Sequence, residues 1–375
     1  MKNGYVLGMR NYFRMAGRPQ RDVDRMVARL HTRFATWRRE VKSRRHALRL
    51  HGEIVALRGG MAVVDEALLC RMRAYCESRF GNARHWPWLA VYTELRGGYH
   101  DGWLPNDLIE YRLIPRVNPG AGSAISTFKT MDYRLFGDFA VRPLLLIAGG
   151  VVHDAEHVPL DFAEAVRRLR AHVGEVVIKG DGGWGGNSVV FAAAADVDLA
   201  CLAARGGFVV QPSVRQHAVL ARLHPESVNS LRIVTWRDHQ GGLRVIAAVL
   251  KAGRGSSRLD NSCSGGLFMY LDSGGCVISD AFNGIGMDAG DRHPDSGVCY
   301  RDIVVPCYAQ AQVACLEAHS RYPYAGVVGW DVCIDADGMP GMLEWNAKSP
   351  NLWLNEALIG PLLNTKEIGP VHLSR

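Results

Sequence analysis

Val23, Val27, Leu30, Phe34, Trp37 and Val41 recur at steps of three and four residues with Arg and Lys between them, the spacing of one apolar helix stripe. A second helix is predicted over Val64 to Phe80, stopping near Gly81, so the first eighty residues read as helical. The stretch from His85 to Asn118, with WPWLAVYTEL and Pro105, is mixed and its pattern assigns no element. From Ser123, AISTFKTMDYRLFGDFAV predicts a helix ending near Gly137, and VRPLLLIAG predicts a strand. Asp161 to Val173 reads as a helix with Asp161 as N-cap and a basic last turn. EVVIKG, NSVVFAA and GFVVQPSV follow as short strands, then SVNSLRIVTWRD and LRVIAAVLKAG as two longer ones across the turn DHQGG. GGLFMYLDSGGCVI predicts a hairpin, Pro306 to Ser320 a helix, and GVVGWDVCIDADGMPGMLEWN a closing pair of strands turned at Asp337-Gly338. Strands, helices and hairpins in this mixture indicate an α+β (mixed α/β) architecture, with no internal repeat.

Composition narrows this further. With 48% apolar and 22% charged residues, disorder and collagen-like or simple coiled-coil structure are excluded. No apolar run reaches 18 residues, and MKNGYVLGMRNYFRMAGRPQ lacks an apolar core before a small-residue cleavage site, so a cytoplasmic protein is expected. The 9 cysteines form no CxxC pair, which argues against structural zinc and for reduced thiols. Cys263, in LDNSCSGG, stands as a candidate nucleophile with no activating base beside it in sequence. Residues 1–50 hold 14 Lys/Arg and 3 Asp/Glu, a local +11 in a chain of net +7, leaving the rest at −4. Such a leader is either the solvated face of a packed helix, or a contact for an anionic membrane surface or an acidic carrier protein. Nucleic acid is not expected as a partner, because zinc-finger spacing and RNA-binding motifs are absent.

Three groups of residues could carry chemistry. In VVIKGDGGWGGNSVV, Lys179 ends a strand and is followed by Gly180, Gly182, Gly183, Gly185 and Gly186. That density fits a loop whose N–H groups approach phosphate beside a lysine charge, or a plain flexible turn. In the closing hairpin, period two puts Glu344 and Asn346 on one face, with Asp331 able to sit opposite. Two carboxylates and an amide oxygen suit Mg²⁺ shared with phosphates, or alternatively a cross-strand polar network. Arg232 stands between apolar Leu231 and Ile233, three residues after Asn229, and would clamp a phosphoryl group or pair with a carboxylate. Lys129 reads by default as a surface lysine. Asp260-Asn261 and the turn beginning at His293 fit active-site loops or ordinary polar turns.

In order along the chain, FKTMDYRLF, VVIKGDGGWGG, QHAVLARLHPESVNSLRIVTW, LDNSCSGGLFMYLD, HPDSG and GWDVCIDADGMPGMLEWN resemble the ATP-grasp superfamily, and most of all its sugar-transfer associated, alpha-L-glutamate-ligase-related branch. The resemblance runs from about Ser123 to Asn351. It implies two α+β subdomains clasping a nucleotide after a basic helical region: residues 1–80 the basic leader, 81–128 the first part of the ligase body, 129–212 the lid subdomain, and 213–375 the catalytic subdomain. It implies ATP held by Lys129, Lys179 and Arg232, by a flap containing Gly182, Gly183, Gly185 and Gly186, and by Gln211, where the branch usually has an acidic residue. It implies catalytic roles for Arg232, Lys179 and Asn229, and Mg²⁺, two ions, on Asp331, Glu344 and Asn346. The implied reaction is a carboxylate–amine, or thiol, ligation through an acylphosphate, with an amino acid as one substrate. A kinase on the same site and a non-catalytic nucleotide-gated partner are the alternatives.

Overall fold

In a computed structural model of the chain, residues 20–183 and 188–364 are described. The basic segment before residue 20, and Gly185 and Gly186 of the glycine-rich loop, lie outside them. The chain divides into two compact units, with the boundary along the sequence between Leu113 and Ile114.

The first unit is helical. Helix α1 (Gln20–Leu57) runs well past the predicted stripe. Its buried positions are Val27, Glu40, Ser43, Ala47, Leu50 and Ile54, whereas Leu30, Phe34 and Trp37 of that stripe are exposed, Trp37 at 46%. The seam that packs is a later one, with a charged residue in it. Buried Glu40 is accommodated because Arg112 donates to it at 2.7 Å and Arg84 at 3.4 Å. Helix α2 (Glu66–Phe80) starts at Asp65, whose side chain accepts from Leu68 N, and stops at Gly81 with φ +69°. WPWLAVYTELR, unassigned from sequence, is helix α3 (Trp86–Arg96), opened by Pro87 and closed by Gly97 at φ +79°. It is buried from Pro87 to Leu95, which erases the amphipathic signal that marks a surface helix.

The second unit holds two five-stranded sheets, antiparallel throughout. The first contains β1 (Leu145–Ala148), β2 (Val151–His153), β3 (Glu175–Gly180), β4 (Val189–Ala193) and β5 (Phe208–Pro212), in the order β2-β1-β5-β3-β4. Helices α4 (Phe162–Ala171) and α5 (Leu199–Arg205) bury Ala165, Leu169, Leu199 and Leu202 with Val176, Ile178 and Val210 of this sheet. The second sheet contains β6 (Leu231–Arg237), β7 (Leu243–Ala252), β8 (Leu267–Tyr270), β9 (Val327–Ile334) and β10 (Pro340–Asn346), in the order β10-β9-β6-β7-β8. Helix α6 (Tyr308–Arg321) sets Tyr308, Ala311, Cys315 and Ala318 into the same core as Leu231, Ile233, Leu250 and Trp330.

Two expectations are corrected. The helix predicted from Ser123 to Gly137 is broken into short turns, because Phe128 is extended at φ −102° and ψ 91°. The strand VRPLLLIAG begins only at Leu145, after Pro143, and returns through Gly149 and Gly150, both at positive φ, into the unpredicted β2. The hairpin after Leu267 forms, but its second arm is a single bridge from Leu271 to Val277 rather than a strand. Among the described residues no helix is long and apolar enough to cross a membrane.

Asn118 fastens the ends of β9 and β10. Its Nδ2 donates to Val327 O (2.7 Å) and Ala347 O (2.6 Å), and its Oδ1 accepts from Gly326 N (2.8 Å) and Val327 N (3.0 Å). Replacing it with alanine strands buried backbone groups, so Asn118→Ala is expected to lower unfolding free energy by about 3 kcal/mol or more, read from urea denaturation.

Candidate active site

Alternation gives the second sheet one apolar and one polar face. Leu231 and Ile233 of β6 and Trp330 and Val332 of β9 lie in the core. Arg232, Asp331 and Glu344 project the other way, in a row: Arg232 is the cross-strand partner of Asp331, and Asp331 of Glu344. A β-bulge makes the row continuous. Met342 pairs with Val332 and Glu344 with Asp331, leaving Leu343 as the extra residue. Met342 and Trp345 can then both enter the core while Glu344 and Asn346 face the site. Without the bulge, Met342 and Glu344 would share a face.

Arg232 grips Asp331 with two parallel bonds, Nε to Oδ1 at 2.9 Å and Nη2 to Oδ2 at 2.8 Å. Lys251 adds a third cationic contact at 2.9 Å, and Asn346 Nδ2 donates to Asp331 Oδ2 at 3.2 Å, leaving its own carboxamide oxygen as a donor to a metal. Burial works against ionising Asp331, but Arg232 and Lys251 outweigh it and hold its carboxyl well below the usual carboxylate range.

Facing this row is the first sheet. Val177, flanked in register by Phe191 and Gln211, forms an apolar wall with Val189, and Lys179 projects from the same face of β3. Lys179 Nζ donates to Leu343 O, the carbonyl of the bulge, at 3.0 Å. Burial pulls its ammonium below the ordinary lysine value, with Glu344 acting in the opposite direction. Lys129 is not a surface lysine. Its side chain is 5% exposed and pairs with Glu344 at 2.8 Å. The turn carrying it is laced to the start of the glycine-rich loop: Thr130 N and Oγ1 donate to Asp181 at 3.0 and 2.9 Å, and Gly182 N donates to Thr127 O at 2.7 Å. Gly182 sits at φ +73°, and a Cβ on Gly183 would fall 2.5 Å from that of Ser188, so both positions require glycine. Gln211 lines the cleft with its Nε2 donating to Val141 O at 2.6 Å. At the rim, Arg258 forks onto Glu175 at 2.6 and 2.7 Å and stacks 3.9 Å over Phe191.

One cleft therefore gathers Lys129, Lys179, Gly183, Gln211, Asp331 and Glu344, and an adjoining pocket brings Gly182 and Asn346 beside Lys129 and Glu344. Asn229 is not brought there. It is fully buried, and its amide donates to Leu220 O (2.9 Å), His224 O (2.8 Å) and Gln216 Oε1 (3.0 Å). The side chain of Cys263 lies outside the described residues. Among those described, no group of three His, Cys, Asp or Glu is placed to hold a metal by itself. The set on offer is two carboxylates and the Asn346 amide oxygen, hard donors that suit Mg²⁺. Lys251 was missed from sequence, whereas Asp260 belongs to the turn read there as an active-site loop or an ordinary polar turn. Lys251 carries the signal that singled out Arg232, a lone cation on an apolar strand, and Asp260 fixes the start of β6 by accepting from Ser230 N at 2.8 Å.

The family model for sugar-transfer associated ATP-grasp matches residues 196–367. These residues belong to that family. The ATP-grasp match takes in β5 to β10 with Arg232, Asp331, Glu344 and Asn346, and begins after β4, beyond Lys129, Lys179 and the glycine-rich loop. Among solved structures, the chain is similar to the ATP-grasp ligase PsnB complexed with a minimal precursor, at 17% identity and TM-score 0.38 over 65% of this chain and 58% of that one. It is also similar to a biotin carboxylase–β-γ-ATP complex from Campylobacter jejuni (10% identity, TM-score 0.43, 68% and 48%) and to the D-alanine-D-alanine ligase from Coxiella burnetii (11%, 0.36, 68% and 57%). The chain spans less than two thirds of the length of each. No curated protein matches it.

Behind Lys129, Asp132 is 6% exposed and accepts from Trp345 Nε1 at 2.9 Å. Burial raises its carboxyl to about 7, against the opposing pull of Lys129 and the indole N–H. A carboxyl that holds its proton more tightly when folded loses stability as pH rises from its ordinary value of 3.8 through 7. Asparagine keeps the acceptor for Trp345 without the proton. Asp132→Asn is therefore expected to shrink the fall in melting temperature between pH 5 and pH 8 relative to the parent chain, measured by thermal denaturation.

Proposed function

We propose that the chain is an ATP- and Mg²⁺-dependent ligase that joins a carboxylate to an amine or thiol through an acylphosphate, with an amino acid as one substrate. The observation that carries the reading is the meeting of two kinds of surface in one cleft. An apolar wall of Val177, Val189 and Phe191 suits a base, and it leads to Lys129, Lys179 and Lys251 interleaved with Asp331 and Glu344, with Arg232 paired to Asp331 from the adjoining cavity.

Asp331, Glu344 and Asn346 would hold the magnesium, which supplies charge neutralisation around a transferring phosphoryl group. The chain's own residues do the rest. Arg232 is oriented before any substrate arrives, because both of its hydrogen bonds to Asp331 fix the guanidinium plane. A pre-set donor needs no reorganisation as charge develops on phosphoryl oxygens. Lys129 and Lys179 bracket Glu344, one by an ion pair and one through the carbonyl of the adjacent Leu343. A phosphate entering between them would gain two buried donors and would favour the charged form of Lys179, against the effect of burial. Gly182 and Gly183 leave room for backbone to approach phosphate, and closure over the cleft would keep water from an acylphosphate.

The test is ADP release by the full chain over a panel of amino acids, amino sugars and carboxylic acids, with product mass spectrometry. Lys179→Ala and Glu344→Gln are expected to lose about a hundredfold or more in turnover with unchanged circular dichroism, and the product to be a condensed molecule with free phosphate. A phosphorylated product, or parent-like release from both variants, contradicts the proposal.

A further inference from the structure

Several buried polar side chains outside the cleft converge on one exposed arginine. Arg254 lies between two glycines, and both backbone groups of each glycine are held by a side chain. Asn229 Oδ1 accepts from Gly253 N at 3.3 Å, and His293 Nε2 donates to Gly253 O at 2.7 Å. Asp295 Oδ2 accepts from Gly255 N at 2.6 Å, and His224 Nε2 donates to Gly255 O at 3.0 Å. The carbonyl acceptors assign the proton of both imidazoles to Nε2. Consistently, Ser227 Oγ donates to His224 Nδ1 at 3.0 Å, and Asp295 N to His293 Nδ1 at 3.3 Å. Glycine is required on both sides. A Cβ on Gly253 would fall 2.3 Å from Ser227 Oγ, and Gly255 sits at φ +61°.

What this cradle presents is an unspent cation. Among the described residues the Arg254 guanidinium makes no hydrogen bond or ion pair, and it borders a cavity of about 500 Å³. Arg232 and Lys251 also border that cavity, and Lys251 and Asn261 line the cleft as well, so the two spaces adjoin at the phosphoryl end. Asn355, on helix α7 (Trp353–Ile359), lines the same cavity at 7% exposure with its amide unpartnered among the described residues. Asn283 spends its carboxamide oxygen on Ile285 N and Met287 N, which leaves its NH₂ as a donor.

We propose that this cavity takes the second substrate and that Arg254 fixes its anionic group. The ligand is a small molecule bearing a carboxylate or phosphate monoester on a hydroxylated body, its anion forked by Arg254 and its hydroxyls met by Asn283 and Asn355. Asn229, His224, His293 and Asp295 are positioning residues that act through Arg254. The inference rests on the ligase reading, which needs a second substrate beside the cleft.

The test uses the full chain with saturating ADP and Mg²⁺, titrated calorimetrically with D-glucuronate, D-glucose 6-phosphate and D-glucose. At least one anion is expected to bind about tenfold tighter than glucose, and which one does identifies the anionic group. Arg254→Ala abolishes that advantage, Arg254→Lys recovers part of it, and ADP affinity is unchanged in both. Asp295→Ala reproduces the loss, and Asp295→Asn, which keeps the acceptor for Gly255 N, restores binding. Anions no better than glucose, or an advantage that survives Arg254→Ala, overturns the proposal. Anion binding that depends on Arg254 in a chain that binds no ADP upholds this site and sinks the ligase reading instead.

Discussion

The polar face of the second sheet depends on a single buried arrangement, Asp331 held by Arg232 through two hydrogen bonds and by Lys251 through a third contact. Burying a carboxylate is expensive, and losing one partner of such a pair leaves an uncompensated charge that costs about 3–5 kcal/mol. Each strand that meets β9 or β6 is therefore tied to the register that keeps these groups together. Arg232 must face Asp331 across β6 and β9, and Lys251 must reach it from β7. The bulge at Leu343 serves the same constraint from β10, because it lets Met342 and Trp345 fill the core while Glu344 and Asn346 stay on the polar face.

This arrangement also explains why the first sheet closes on the second where it does. Lys179 reaches the bulge carbonyl, and Lys129 reaches Glu344, so the cations of one side rest on the irregularity of the other. A regular β10 would offer no such carbonyl. The distorted strand thus receives two lysines from outside the second sheet, Lys179 at the Leu343 carbonyl and Lys129 at the Glu344 carboxylate.

Much of this was legible in the chain. Arg232, Asp331, Glu344 and Asn346 announce themselves as polar residues inside strongly apolar strands, and period two places them on one face. The rest was hidden for physical reasons. A bulge leaves no mark in hydrophobic periodicity beyond one residue of slippage. The helix α3 region is buried on all sides, Thr93 and Glu94 included, so its period vanishes. In α1 the apolar stripe is real, but Leu30, Phe34 and Trp37 are exposed, and the packed seam runs through Glu40 and Ser43, which a hydrophobic pattern cannot find. Asn229 stood out for its place before Arg232, yet its amide is spent on carbonyls and on the turn before Arg254. Arg254 itself is one exposed arginine among many in the sequence, and only the three-dimensional convergence on its neighbouring glycines sets it apart.

The proposed ligase function requires the cleft between the two sheets to bind nucleotide and Mg²⁺ together on the Asp331–Glu344–Asn346 face. Calorimetric titration of ATP into the full chain, with and without Mg²⁺ and repeated on Glu344→Gln, tests it most directly. Binding is expected to strengthen with Mg²⁺ in the parent chain and to lose most of that Mg²⁺ dependence in the variant. ATP binding indifferent to Mg²⁺, or equal in parent and variant, would contradict it.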